Sequence, residues 1–114
     1  MNGIEMTGNE IEVLEELIRR IADRRTASPE TSYTARLFHE GVEKCAKKFG
    51  EEAVELALAA VLADPPHIRA EAADALYHLL VLLEICRIPF SEVTKELSER
   101  MRMGGLDEKA SRRK

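Results

Sequence analysis

The segment Lys47–Leu83, KKFGEEAVELALAAVLADPPHIRAEAADALYHLLVLL, decides the fold of this chain. On a helical wheel, Cys45, Phe49, Ala53, Leu56 and Ala60 form one apolar stripe, and Val54, Leu58 and Val61 a second patch rotated from it. Asp64-Pro65-Pro66 ends that helix, because proline cannot extend a preceding helix and restrains the residue before it. Proline suits a first helical position, so the same residues open the next helix, about His67 to Cys86. Within it, Ala75–Leu83 is apolar nearly all round, which predicts burial on every side.

Working outward, Ile11, Leu14, Leu17, Ile18 and Ile21 recur at helical spacing behind a Thr7/Glu10 capping box. The residues from Arg24 to Ser32 read as a loop, with a short turn at Ser28-Pro29. From about Tyr33 the helical pattern returns and continues past Gly41 into the long helix Val42–Leu62. After the break at Pro89, Ser91–Met103 is amphipathic, with Val93, Leu97 and Met101 expected inward, and Gly104-Gly105 stops it. No strand-like alternation competes. The expectation is an all-α bundle of four to five helices over residues 8–103, followed by a flexible tail, 104–114. Two helices carry more apolar surface than one small chain can cover, which predicts a homodimer sharing a helical core.

With 114 residues the chain forms one domain, and 17 basic against 21 acidic residues argue against a nucleic-acid partner. The basic end Lys109–Lys114 reads as a solvated terminus. Cys45 and Cys86 lie inside apolar helical patterns and belong to no Cys-x-x-Cys pair, so both are expected as buried free thiols. The N-terminus lacks the pattern of a signal peptide, and no apolar run reaches the roughly 18 residues a membrane span needs. A soluble, cytoplasmic protein is expected.

Set into these apolar helices are two acidic clusters. Glu51, Glu52 and Glu55 fall within an arc of about 100°, from which Lys44 and Lys48 also project. Glu71 and Asp74 share a face one turn apart, and His78 extends it by another turn. Like charges at such spacings cost a helix roughly 0.2–0.5 kcal/mol per pair. A cation between the helices turns that repulsion into ligation, and convergent carboxylates with phosphate oxygens suit Mg²⁺. The alternative is a solvated acidic face balanced by Lys47, Lys48 and Arg69. His78 reads either as a contact to metal-bound groups or phosphate, or as a hydrogen-bonded core histidine; Tyr77 reads as packing. In Ser32-Tyr33-Thr34-Ala35-Arg36-Leu37, the hydroxyls of Ser32 and Thr34 and the guanidinium of Arg36 suit phosphate oxygens, or else an ordinary helix cap. There is no phosphate-binding Gly-x-x-x-x-Gly-Lys loop, dinucleotide fingerprint or His-Glu-x-x-His.

Glu52-x-x-Glu55 followed after a proline turn by Glu71-x-x-Asp74 resembles the signature of the all-α, MazG-like nucleoside triphosphate pyrophosphohydrolases. The Ser32–Leu37, Lys47–Glu55 and Glu71–Leu83 blocks together resemble the phosphoribosyl-ATP pyrophosphatase family, over about Ile11 to Met101. The resemblance implies Mg²⁺-dependent hydrolysis of phosphoribosyl-ATP to phosphoribosyl-AMP and pyrophosphate, the second step of histidine biosynthesis. It implies Glu52, Glu55, Glu71 and Asp74 as metal ligands, with Glu51 as base or outer carboxylate. Lys44, Lys48 and Arg36 would then hold the polyphosphate, Arg36 standing where the family usually carries lysine. Two other readings stay open: a house-cleaning nucleotide pyrophosphohydrolase, and a non-catalytic helical dimerisation module.

Overall fold

The computed structural model describes Met6 and residues 8–104 of the chain. Among the described residues there are five α-helices, α1 (Glu10–Asp23), α2 (Tyr33–Glu40), α3 (Val42–Leu62), α4 (Pro65–Ile85) and α5 (Phe90–Arg102), one 3₁₀ turn (Arg24–Thr26) and no strand. The expected cap residue Thr7 and the tail beyond Gly104 lie outside the described residues.

Helices α3 and α4 form the central hairpin, and its turn follows from the residues that make it. Ala63 closes α3 in the left-handed region, φ 60° and ψ 37°, with its N–H on the carbonyls of Ala59 and Ala60. Asp64 is extended, as the residue before a proline must be, and Pro65 and Pro66 begin α4, where a missing N–H leaves no bond unmade. Only Ala63 and Asp64 separate the two helices.

Between α2 and α3 the structure corrects the expectation of one continuous helix past Gly41. Gly41 takes φ 100° and ψ 176°, a region essentially reserved for glycine, so the chain turns there and α2 packs back on α3. A Cβ at this position meets nothing within 4 Å, so its effect is one of backbone conformation alone. Gly41→Ala is expected to cost about 1–3 kcal/mol, read as a melting temperature lower by at least about 4 °C in thermal unfolding. An unchanged melting temperature would contradict the turn.

The core forms where four helices meet. Ile21 of α1, Leu37 of α2, Cys45 of α3 and Leu80 and Val81 of α4 are buried together, ringed by Leu14, Leu17, Ile18, Phe38, Tyr77 and Phe90 among others. Arg25 ties the loop after α1 to this core. Its Nε donates to Glu84 Oε2 at 2.6 Å, a second nitrogen bonds the Glu84 carbonyl, and the guanidinium lies 5.3 Å from the Phe38 ring centre.

Three expectations about burial are corrected. Leu97 and Met101 of α5 are exposed and Val93 is half-buried, so the stripe expected inward faces outward and only Phe90 of α5 joins the core. Leu76 interrupts the buried stretch of α4 at 42 % exposure. Cys45 is buried, its thiol donating to the Leu37 carbonyl and its pKa pushed up by burial, but Cys86 is exposed. The second patch of α3 (Val54, Leu58, Val61) is open to solvent, as are Ile11 and Val13 of α1.

Candidate metal and phosphate site

The proline turn sets the C-terminal half of α3 against the N-terminal half of α4, and this brings the two acidic clusters face to face. One carboxylate oxygen each from Glu52, Glu71 and Asp74 lie within 4.8 Å of one another. The side chains of Glu52 and Glu71 are only 15 % and 14 % exposed, while Asp74 stands at the open edge. Glu71 Oε1 is the buried side-chain oxygen left without a hydrogen-bond partner among the described residues. Leaving such an atom unpaired costs about 1–3 kcal/mol, more when it is charged. Three hard oxygen donors, one from a carboxylate with an unpaired buried oxygen, fit a small divalent cation, so the residues present suit the expected Mg²⁺.

Two lysines and a histidine frame the cluster. Lys48 Nζ lies 3.5 Å from Glu52 Oε2 and 3.7 Å from Glu51 Oε1. Burial disfavours the Lys48 charge, but Tyr33, Glu52 and Glu51 outweigh it and raise its pKa above the usual lysine value. On the far side His67 Nε2 stands 3.3 Å from Glu71 Oε2. Lys44 is exposed one turn before Lys48.

Glu55 falls outside the close group. It and Glu51 line an open groove of about 600 Å³, walled by Val54, Leu58 and Leu62, to which His67 also contributes. Glu55 is exposed, one turn along from Glu52.

The Ser32–Arg36 block packs beside the cluster through its own hydrogen bonds. Ser32 Oγ accepts from the Ala35 N–H at 3.1 Å and caps α2. Thr34 is buried and its hydroxyl bonds the Tyr77 hydroxyl, so Tyr77 does more than pack. Arg36 is exposed, 5.6 Å from the Tyr33 ring centre, with a nitrogen 3.5 Å from the Pro29 carbonyl. His78 is buried and satisfied on both sides. Its Nδ1 bonds the Asp74 carbonyl at 2.8 Å, and Nε2 pairs with the Tyr33 hydroxyl at 3.1 Å. A carbonyl only accepts, so Nδ1 carries the proton and in the neutral ring Nε2 accepts from Tyr33. Burial raises the Tyr33 pKa, with Tyr77 and Glu52 adding to it against Lys48 and Arg36, which keeps the phenol protonated to donate.

Neither Tyr33 nor His67 is among the site residues expected from the sequence. His67 is four residues before Glu71, a spacing that places the two on one helix face, so its signal was present. Tyr33 pairs with His78 across 45 positions, for which the sequence holds no local signal.

A family model described as phosphoribosyl-ATP pyrophosphohydrolase matches residues 14–101. Among curated proteins, the phosphoribosyl-ATP pyrophosphatase of Paracoccus denitrificans is 49 % identical over 113 residues, covering 99 % of this chain and all of that one. Those of Agrobacterium fabrum and Methylobacterium nodulans are 52 % identical over 99 residues and 54 % over 101. They cover 87 % and 89 % of this chain and 92 % and 94 % of their own length.

Proposed function

The chain belongs to the phosphoribosyl-ATP pyrophosphohydrolase family, and we propose that it hydrolyses 1-(5-phosphoribosyl)-ATP at a Mg²⁺ site held by Glu52, Glu71 and Asp74. The products are 1-(5-phosphoribosyl)-AMP and pyrophosphate, in the second step of histidine biosynthesis. The observation that carries the site is the meeting of three carboxylates, with one oxygen of each within 4.8 Å of the others, one of which, Glu71, has a buried oxygen without a hydrogen-bond partner. Glu55, one turn from Glu52, is the fourth carboxylate of the set.

Bound there, Mg²⁺ would neutralise phosphate charge and make water a better nucleophile. The remaining chemistry falls to the side chains. Glu51, exposed at the groove, accepts the proton of the attacking water as the α–β anhydride bond breaks and pyrophosphate departs. Lys48, already charged between Glu51 and Glu52, offsets the negative charge of the incoming triphosphate, and Lys44 and Arg36 extend that positive rim. Ser32 and Thr34 serve the phosphates indirectly, by fixing the start of α2 and with it Arg36. His78 holds the backbone of Asp74.

The working unit is a homodimer. The exposed apolar faces of α1, α3 and α5 support this. Among the described residues no helix is long and apolar enough to cross a membrane; acting on a nucleotide made and consumed inside the cell, the enzyme works in the cytoplasm.

A substrate panel tests the reading: phosphoribosyl-ATP, ATP, dUTP and dCTP with Mg²⁺, following pyrophosphate. Phosphoribosyl-ATP is expected to be favoured by at least about a hundredfold in kcat/KM. Comparable rates on dUTP or dCTP would point to a house-cleaning enzyme. Absence of turnover together with no Mg²⁺ uptake in calorimetry would leave a helical dimerisation module.

A further inference from the structure

We propose that His67 is a positioning residue for Glu71, orienting that carboxylate for a divalent cation. The inference rests on the reading that Glu52, Glu71 and Asp74 hold the metal. His67 Nε2 is 3.3 Å from Glu71 Oε2, and the other oxygen of the same carboxylate is buried with no hydrogen-bond partner. The imidazole thus stands against Oε2 of Glu71, and Oε1 is the oxygen without a partner. Metal-binding groups are commonly held in this way by a neighbour that fixes their rotation.

His67 is well placed for the task. Pro65 and Pro66 restrain the backbone immediately before it, and the helix carries its side chain to Glu71 one turn on. An exposed pair at this spacing would add only slightly to helix stability. Here the carboxylate partner is only 14 % exposed and the polar side chain recorded against it is that of His67, itself 46 % exposed. The ring also borders the groove that holds Glu51 and Glu55, and so adjoins both halves of the acidic set. Imidazole nitrogen is a poor ligand for Mg²⁺, which prefers oxygen, so the ring acts on the ligand and leaves the metal to oxygen donors.

The test is calorimetric titration of the full chain with Mg²⁺ alone, for wild type, His67→Leu and His67→Gln, with melting temperatures measured without metal. His67→Leu is expected to weaken Mg²⁺ binding about three- to tenfold, at or below the low end for such partners because His67 is half exposed. His67→Gln, which keeps an N–H donor at similar reach, should stay within about twofold of wild type. Both variants should melt with the wild type when metal-free. Wild-type affinity in His67→Leu, or an equal loss in both variants, would overturn the inference while the metal site stands. A wild-type chain that takes up no Mg²⁺ would overturn the metal reading and the inference together.

Discussion

Glu71→Gln should abolish pyrophosphate release and at the same time make the metal-free protein harder to melt. Its carboxylate is the most buried charge of the cluster and has an oxygen with no hydrogen-bond partner. The amide has the same shape but no charge, so the attraction for Mg²⁺ falls sharply. A loss of about a thousandfold in kcat/KM is expected, equivalent to about 4 kcal/mol of transition-state stabilisation. Without metal the sign reverses. The substitution removes one of three like charges crowded within 4.8 Å, and the variant should gain about 1 kcal/mol in thermal unfolding. Opposite signs in the two measurements separate a functional loss from misfolding. Asp74→Asn should lose activity similarly with a smaller gain in stability, since Asp74 is exposed. Wild-type turnover in Glu71→Gln would remove Glu71 from the metal site.

The largest loss of stability is expected at Leu37→Ala, about 2–5 kcal/mol. Leu37 is 2 % exposed and lies in the cluster of Ile21, Cys45, Leu80 and Val81, to which α1, α2, α3 and α4 all contribute. A cavity there cannot be filled by one helix moving without disturbing the other three. Small domains hold only about 5–15 kcal/mol in all, so the variant should lose a large share of its stability in urea. A change under about 1 kcal/mol would mean that α2 is more loosely packed than described. Because α2 also carries Tyr33 and Thr34, which bond His78 and Tyr77 of α4, activity should fall with stability.

How much of this was readable in the residues differs by element. The all-α class, the proline turn and the facing of Glu52 toward Glu71 and Asp74 were legible, because each rests on local spacing and on the backbone limits of proline. The break at Gly41 was not. A glycine in a helical pattern does not announce the sign of its φ, and a helix can run through it. The amphipathic stripe of α5 announces a face but not what covers it, and Leu97 and Met101, expected inward, lie exposed. Glu55 shows the limit of a wheel. It sits only about 60° round and about 4.5 Å along from Glu52 in an ideal helix, the spacing that keeps Asp74 with Glu71, yet it falls outside the close group facing α4. The hydroxyls of Ser32 and Thr34 were visible as residue types, but their direction was set by Ala35 and Tyr77.

The two-residue connection at Ala63 and Asp64 bears on which changes in chain length the site can absorb. With so little slack, α3 and α4 act as meshed gears whose teeth are the carboxylates. Inserting or deleting one residue between Pro65 and Glu71 turns Glu71 and Asp74 by about 100° and shifts them about 1.5 Å, out of mesh with Glu52. Every carboxylate would survive such a change, and the cluster would not. The number of residues between Glu52 and Glu71 is therefore as much a component of the site as the carboxylates themselves.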